Sequence, residues 1–381
     1  MAEVATSGNP GPLSAVHPAR LVPPRELYAG RPALAVQMAA NSNEIVAAAS
    51  ICNGSGLGAV ITMPPGRAHR HESVSAALTA FGSVTGDVSD VLVDANRYAG
   101  KNRTVGAGPL DVTWVDAQLD KGQRFALTDS PYIPDGDFAA LDSTLKQGRD
   151  MRRPVIVNLP ISHLWLRNRS TELREAINRA GVPVALTVEH RGDPMGGQGV
   201  VRGLVHALGA EQPVFLLRCD ASAIVAIPYG AAGGAIGTST RLRHLYPLPA
   251  PGSKSGGRPS RVAVWVPRLL AYMSLETVAD LVQYPDVDQH FVCDCTQCLG
   301  LGLDRITNEA QAYEHSLRAL TDFATLRLGS QRSPELQRKA FYAAGESAQF
   351  LHFDIESSTG VRLEPPSFLG AWKRAYEQLN S

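Results

Sequence analysis

The sequence predicts an α/β fold: a (β/α)8 TIM barrel carrying a C-terminal zinc-binding helical subdomain. Three observations predict it. Eight short β-rich apolar runs recur along the chain, separated by helix-like stretches. Most of the runs end directly in polar residues of catalytic type. The 381 residues suit one barrel of about 250 residues plus an appended piece.

The eight runs are Leu34–Met38, Ala59–Thr62, Val91–Val93, Phe125–Thr128, Val155–Val157, Val184–Val188, Val214–Leu217 and Ala235–Ile236. Several are continuously apolar, as expected of parallel strands buried on both faces. Asp94 ends the third run, Asp129 and Ser130 the fourth, Asn158 the fifth, Glu189 and His190 the sixth, and Arg218, Cys219 and Asp220 the seventh. Barrel active sites are built where strands run into loops. A doubly wound open sheet would also place ligands there, but the count of eight favours the barrel. Between the runs, Ser170–Ala180 and Gly199–Leu208 read as helices closed by Gly181 and Gly209. Ala221–Tyr229 reads as a helix that Asp220 could cap. Further on, Leu269–Leu281, 305–330 and 333–350 read as helices.

These elements divide the chain into a flexible leader (1–24), the barrel (25–246), a mobile Pro/Gly/Ser-rich linker or loop (247–262), the zinc subdomain (263–330) and a helical extension (331–381). No apolar run reaches 18 residues and the N-terminus lacks signal-peptide character, so no membrane partner is expected. Basic and acidic residues balance at 36 each, which excludes a global basic field as the source of nucleic-acid affinity and leaves that role to local patches.

Three of the five cysteines lie within six residues, Cys293-Asp294-Cys295-Thr296-Gln297-Cys298, and Cys52 and Cys219 stand alone. A secreted disulfide framework spreads its cysteines differently, so a reducing, cytoplasmic setting is expected. Zinc prefers thiolate and imidazole ligands in a tetrahedron, and a C-x-C-x-x-C run can supply three of them. His315, inside a helix-like stretch, is the fourth ligand of choice, with His290 as competitor. Four protein ligands make a closed, structural Zn2+ site, with an iron–sulfur cluster as the alternative.

The cysteine run followed by a helix bearing His315-Ser316-Leu317-Arg318 resembles the zinc subdomain of tRNA-guanine transglycosylases, the queuine/archaeosine transglycosylase superfamily with its DNA 7-deazaguanine-modifying relatives. The strand end Ala126-Leu127-Thr128-Asp129-Ser130 is similar to that family's Leu-Thr-Asp-Ser. The resemblance implies a (β/α)8 barrel that exchanges a guanine in a polynucleotide for a 7-deazaguanine through a covalent intermediate. It gives Asp129 the role of contacting the base and moving protons. The chain departs from the pattern in four places. Pro131-Tyr132-Ile133-Pro134 replaces Gly-Gly-Tyr-Gln, the spacing from the third cysteine to the histidine is shorter, Asn158 stands where a base-reading aspartate is expected, and Gly233–Arg241 carries no carboxylate to act as nucleophile.

Several residues could carry the chemistry. Asp129 can accept hydrogen bonds from a purine edge or act as base; the plainer role is a cap. Asp220, two residues from Arg218 and so expected to stay ionised, is the substitute nucleophile; its plainer role is a helix cap. Asp94, Asn96, Arg97, Lys101, Asn102 and Arg103 form a polar segment that could hold phosphates or a base edge, or else a solvated loop. Gly233, Gly234, Gly237, Thr238, Ser239, Arg241, Arg243 and His244 suit an anion, or a closely packed strand. Glu189 and His190 pair an acid with a base, or a satisfied rim pair. Ser130 and Asn158 complete the expected substrate shell. His69 and His71 read as a solvated loop. Two functions follow as expectations. One is a transglycosylase-like pentosyltransferase acting on a guanine-type base in tRNA or DNA. The other is a non-catalytic nucleic-acid-binding subunit that keeps barrel and zinc, completed by a protein partner or a second copy. An unrelated barrel lyase or hydrolase acting on a phosphorylated substrate is a third.

Overall fold

The computed structural model describes residues 34–65, 71–248, 261–329 and 333–380. The expected leader, residues 249–260 of the expected linker and the side chains of His69 and His71 lie outside the described residues.

All eight apolar runs are parallel strands of one barrel: β1 (Leu34–Ala39), β2 (Gly58–Thr62), β3 (Val91–Asp94), β4 (Ala126–Leu127), β5 (Val155–Ser162), β6 (Val184–Glu189), β7 (Val214–Cys219) and β8 (Gly233–Gly237). Their order is β3-β2-β1-β8-β7-β6-β5-β4, so β1 pairs with β8 and the sheet curls until β3 and β4 face each other. Helices α1 (Ser42–Cys52), α2 (His71–Thr85), α3 (Val112–Leu119), α4 (Phe138–Asp150), α5 (His163–Ala180), α6 (Gln198–Leu208) and the short α7 (Ser222–Ala226) fill the intervals.

The β3–β4 seam is closed by side chains. Gln118, fully buried on α3, accepts from the backbone N–H of Val93 (3.3 Å) and of Leu127 (3.1 Å) and donates to the Leu127 carbonyl (3.0 Å). Gln123 donates to the Val91 carbonyl in the same gap. Side-chain amides thus stand in for the missing ladder, and buried backbone polar groups find partners.

Strand alternation builds the barrel interior in layers. Ala35, Val60, Leu92, Leu127, Ile156, Ala185, Phe215 and Ala235 form the apolar layer. Two residues onward along six of these strands come Gln37, Thr62, Asp94, Asp129, Asn158 and Thr187, all buried. A polar layer therefore sits directly above the apolar one. Gly234 packs without a Cβ because one would lie 2.8 Å from the Ala223 carbonyl oxygen. At Gly203, a Cβ would lie 1.7 Å from the Leu166 carbonyl oxygen, which is why α5 and α6 approach so closely.

After the barrel, β9 (Ala263–Val266) and β10 (Ala271–Ser274) form an antiparallel hairpin. The sequence expectation of one helix over Leu269–Leu281 is corrected here: the helix, α8 (Leu275–Leu281), starts only after Ser274, which caps Thr277. Residues 271–274 alternate buried and half-buried, a period of two that belongs to a strand. A small hairpin of β11 (Val292–Cys293) and β12 (Leu301–Gly302) carries the cysteines, followed by α9 (Glu309–Leu328), α10 (Pro334–Thr359) and α11 (Ser367–Leu379). The C-terminal helices dock on the α6–α7 side of the barrel, where Trp372 donates to Ser222 and Arg338 to the Pro228 carbonyl. Among the described residues no helix is long and apolar enough to cross a membrane.

Candidate barrel-mouth site and metal centre

Cys293, Cys295, Cys298 and His315 converge. Their ligand atoms lie within 4.8 Å of one another, all four residues are buried, and the cysteines form no disulfide. Such a set could hold a metal ion. His315 Nδ1 lies 3.0 Å from the sulfur of Cys298 and 3.7 Å from that of Cys295. Its Nε2 donates to the Trp265 carbonyl at 2.9 Å, which fixes the tautomer and turns Nδ1 toward the sulfurs. The competing His290 lies instead beside Asp354, at 3.9 Å. Sulfurs of a tetrahedral zinc site would stand about 3.8 Å apart, so the cluster fits one ion.

At the barrel mouth, Asp94 is the centre of a buried network. Its carboxylate accepts from Tyr98 Oη (2.7 Å), Thr62 Oγ1 (3.3 Å), Gln37 Nε2 (3.4 Å) and the Asn96 N–H (2.9 Å), and Arg218 Nε lies 3.8 Å away. Arg218 also donates to Asn96 Oδ1 at 2.9 Å. Asn96 and Arg218 both have left-handed backbones, with φ of 57° and 49°. Such strain in non-glycine residues persists only where the surroundings enforce it, and it gathers at functional sites.

The loop after β3 crosses the mouth. Arg97 pairs with Asp129, whose other oxygen accepts from the Asp111 N–H at 2.9 Å. Arg103 reaches Glu189 on β6 and stacks over the Tyr132 ring, and Tyr132 donates to the same Glu189. The strand-end carboxylates of β3, β4 and β6 thus each face an arginine. Tyr98, Tyr132 and Leu245 pack together as an aromatic plug over the polar layer. Beneath it Asn158 accepts from Thr187 at 3.3 Å, but its Nδ2 is buried without a partner among the described residues. Beside the plug opens a cavity of about 320 Å³ lined by Asn41, Thr62, Asn96, Arg218, Arg241 and Tyr246.

Other expected site residues lie apart. Ser130 is buried against Thr128 Oγ1 at 2.8 Å. Thr238 donates to Glu44 at 3.4 Å and Ser239 Oγ is buried beside it without a partner among the described residues. Gly234 is a packing glycine inside β8. The expectation that Arg218 keeps Asp220 ionised is corrected. A register irregularity between Leu216 and Cys219 turns Arg218 inward to Asp94, while Asp220 accepts from the Ser222 N–H at 2.9 Å. Burial pushes the Asp220 carboxyl up, and burial plus Asp220 push Asp193 up to about 7. Asp129 accepts from the Asp111 N–H and Asp220 from the Ser222 N–H, and neither is among the residues that line the mouth cavity. Sequence reasoning missed Gln37, Tyr98 and Tyr132; the alternation that places Gln37 one polar step above Ala35 was the available signal.

No protein-family model matches the chain, and no curated protein does. Among solved structures, (S)-3-O-geranylgeranylglyceryl phosphate synthase from Thermoplasma acidophilum, in complex with sn-glycerol-1-phosphate, is similar over 56% of this chain and 88% of its own, at 12% identity and a TM-score of 0.30. The transglycosylase resemblance therefore rests on the residues that carry it: the metal cluster and the end of β4.

Proposed function

We propose that the protein is a transglycosylase-like barrel that binds nucleic acid, tRNA or DNA, and reads a guanine-type base at its mouth without forming a covalent base-exchange intermediate. One observation carries this reading. The carboxylates of Asp94, Asp129 and Glu189 each face an arginine, and that of Asp220 is committed to the turn into α7. An ion-paired carboxylate still accepts hydrogen bonds from a base edge, and Asn96, Arg218 and Arg241 add donors and acceptors around the cavity. The ion held by Cys293, Cys295, Cys298 and His315 is zinc in this reading, because thiolate and imidazole donors in a closed set suit it best. Its role is structural.

A catalytic reading has one observation in its favour. Asp94 and Asp129 are buried at adjacent strand ends beside an Asn158 amide that has no partner among the described residues, an arrangement that barrel active sites use. The experiment that separates the two mixes the protein with candidate tRNA and DNA and resolves the products on denaturing gels. Binding without an adduct supports the proposal; a trapped adduct replaces it with the transferase.

A further inference from the structure

Outside the mouth, one cavity is lined by two arginines and two histidines and, among the described residues, by no acid. It measures about 490 Å³ and lies between the start of α5 and the β6–α6 loop. Arg167, Arg202, His163 and His190 line it, together with the glycine-rich turn Gly197-Gln198-Gly199. Among the described residues no carboxylate pairs with Arg167 or Arg202. Two acids of the adjoining β6–α6 segment, Glu189 and Asp193, are engaged elsewhere. Glu189 faces Arg103 and Tyr132, and Asp193 accepts from Ser367 Oγ and the Met195 N–H.

The histidine tautomers are fixed, and they leave His190 as the free donor. His163 Nδ1 lies 3.2 Å from the Glu189 carbonyl oxygen, which can only accept, so Nδ1 carries its proton. His190 Nδ1 accepts from the Gly192 N–H at 3.1 Å, so its proton sits on Nε2. The two rings meet edge to face with centroids 4.5 Å apart. Burial, with His190 and Arg167 nearby, holds His163 below its ordinary value against the opposing pull of Glu189. The glycines add backbone. Gly197 caps helix α6 without a side-chain bond, and while the Val200 and Val201 N–H groups bond back to its carbonyl, those of Gln198 and Gly199 are, among the described residues, left for a ligand. Arg167 lies along Gly199, where an added Cβ would be 3.4 Å from its Cγ.

We propose that this cavity binds a phosphate group, as a mono- or diester, through Arg167 and Arg202 with His190 and the first turn of α6 as further donors. The site stands whether or not the mouth cavity takes a base: a chain that binds phosphate here but no nucleic acid keeps this site and loses the base-reading proposal. The full chain is titrated with inorganic phosphate by calorimetry, and with labelled single-stranded RNA and DNA by anisotropy over a range of salt. Arg167→Gln/Arg202→Gln is compared with Arg179→Gln, an exposed arginine whose ion pairs are with Asp142 and Glu175. The expected result is a tenfold or greater loss of phosphate affinity in the double variant and none in the control. In the oligonucleotide arm, a salt slope lowered by about 1.4, two single-strand phosphates' worth, assigns the site to a polynucleotide backbone. An unchanged slope with lost phosphate binding assigns it to a free phosphorylated compound. Equal phosphate affinity in native protein and double variant, or an equal loss in the control, overturns the site.

Discussion

His315 Nε2 donates to the carbonyl oxygen of Trp265 across 2.9 Å, so one imidazole ties hairpin strand β9 to helix α9 while its other nitrogen faces three cysteine sulfurs. Trp265 reinforces the link by donating its N–H to Ser316 Oγ at 3.0 Å. A metal at this point would fasten hairpin, knuckle and helix together, because ligand binding and local folding are one event.

Metal analysis should therefore find about one zinc per chain. Cys295→Ser and His315→Ala should each lose it and melt at lower temperature, and a strong chelator should lower the melting temperature of the native protein toward theirs. Full zinc content in both variants would show that these residues are not the ligands.

The barrel seam offers a second test. Gln118 satisfies the N–H groups of Val93 and Leu127 with one oxygen. Gln118→Met keeps the volume and leaves both groups buried without a partner. Each orphaned group costs about 1–3 kcal/mol, so a loss of about 3 kcal/mol is expected in denaturant unfolding. Amide exchange at Val93 and Leu127 should speed up relative to the β5–β6 ladder. Unchanged stability and exchange would mean that the seam is held by packing alone.

That seam also marks where sequence reading stops. All eight strands could be read because parallel strands are buried on both faces and leave continuous apolar runs, as in Val155–Val157. The metal ligands could be read because three cysteines rarely fall within six residues by accident. Gln118 could not, since a glutamine in a helix looks the same whether it faces water or closes a barrel. Nor could the plug: Tyr98 and Tyr132 sit in loops, and only the tertiary fold brings them together with Leu245. The pairing of Arg218 with Asp220 expected from their spacing does not form, because of an irregularity in β7 that nothing in Leu216-Leu217-Arg218 announces. The hairpin at 271–274 was hidden by the helix that starts directly after it.

The contact between the β6–α6 loop and α11 should depend on pH. Burial and Asp220 push Asp193 up to about 7 from an ordinary 3.8. The folded chain therefore keeps a proton that the unfolded chain releases. The contribution is fully present below about pH 4 and is lost as pH rises through about 7. Asp193→Asn cannot ionise; its oxygen still accepts from the Met195 N–H, and its amide nitrogen, in place of the second oxygen, can donate to Ser367 Oγ. The melting temperature of the native protein minus that of this variant should fall as pH rises from 5 to 8. A flat or rising difference would contradict an Asp193 carboxyl held up by burial and by Asp220.

The mouth carboxylates give the last prediction, and it separates binding from catalysis. Asp129 is buried at the end of β4, held by Arg97 and by the Asp111 N–H. If it reads a base edge, Asp129→Asn exchanges an acceptor for a donor and should weaken nucleic-acid binding by about 1–3 kcal/mol, the worth of a good base contact. Arg97→Gln should weaken it less, because the carboxylate remains and loses only its orientation. Asp220→Asn should bind as tightly as the native protein, since its carboxylate serves the turn at Ser222. None of these proteins should yield a covalent adduct on denaturing gels. An adduct formed by the native protein and abolished by Asp220→Asn would restore Asp220 as nucleophile, despite a position in which burial disfavours its charged form. An adduct lost only with Asp129→Asn would instead make the end of β4 the reacting centre, and the arginine opposite would then be the group that must move aside before chemistry can begin.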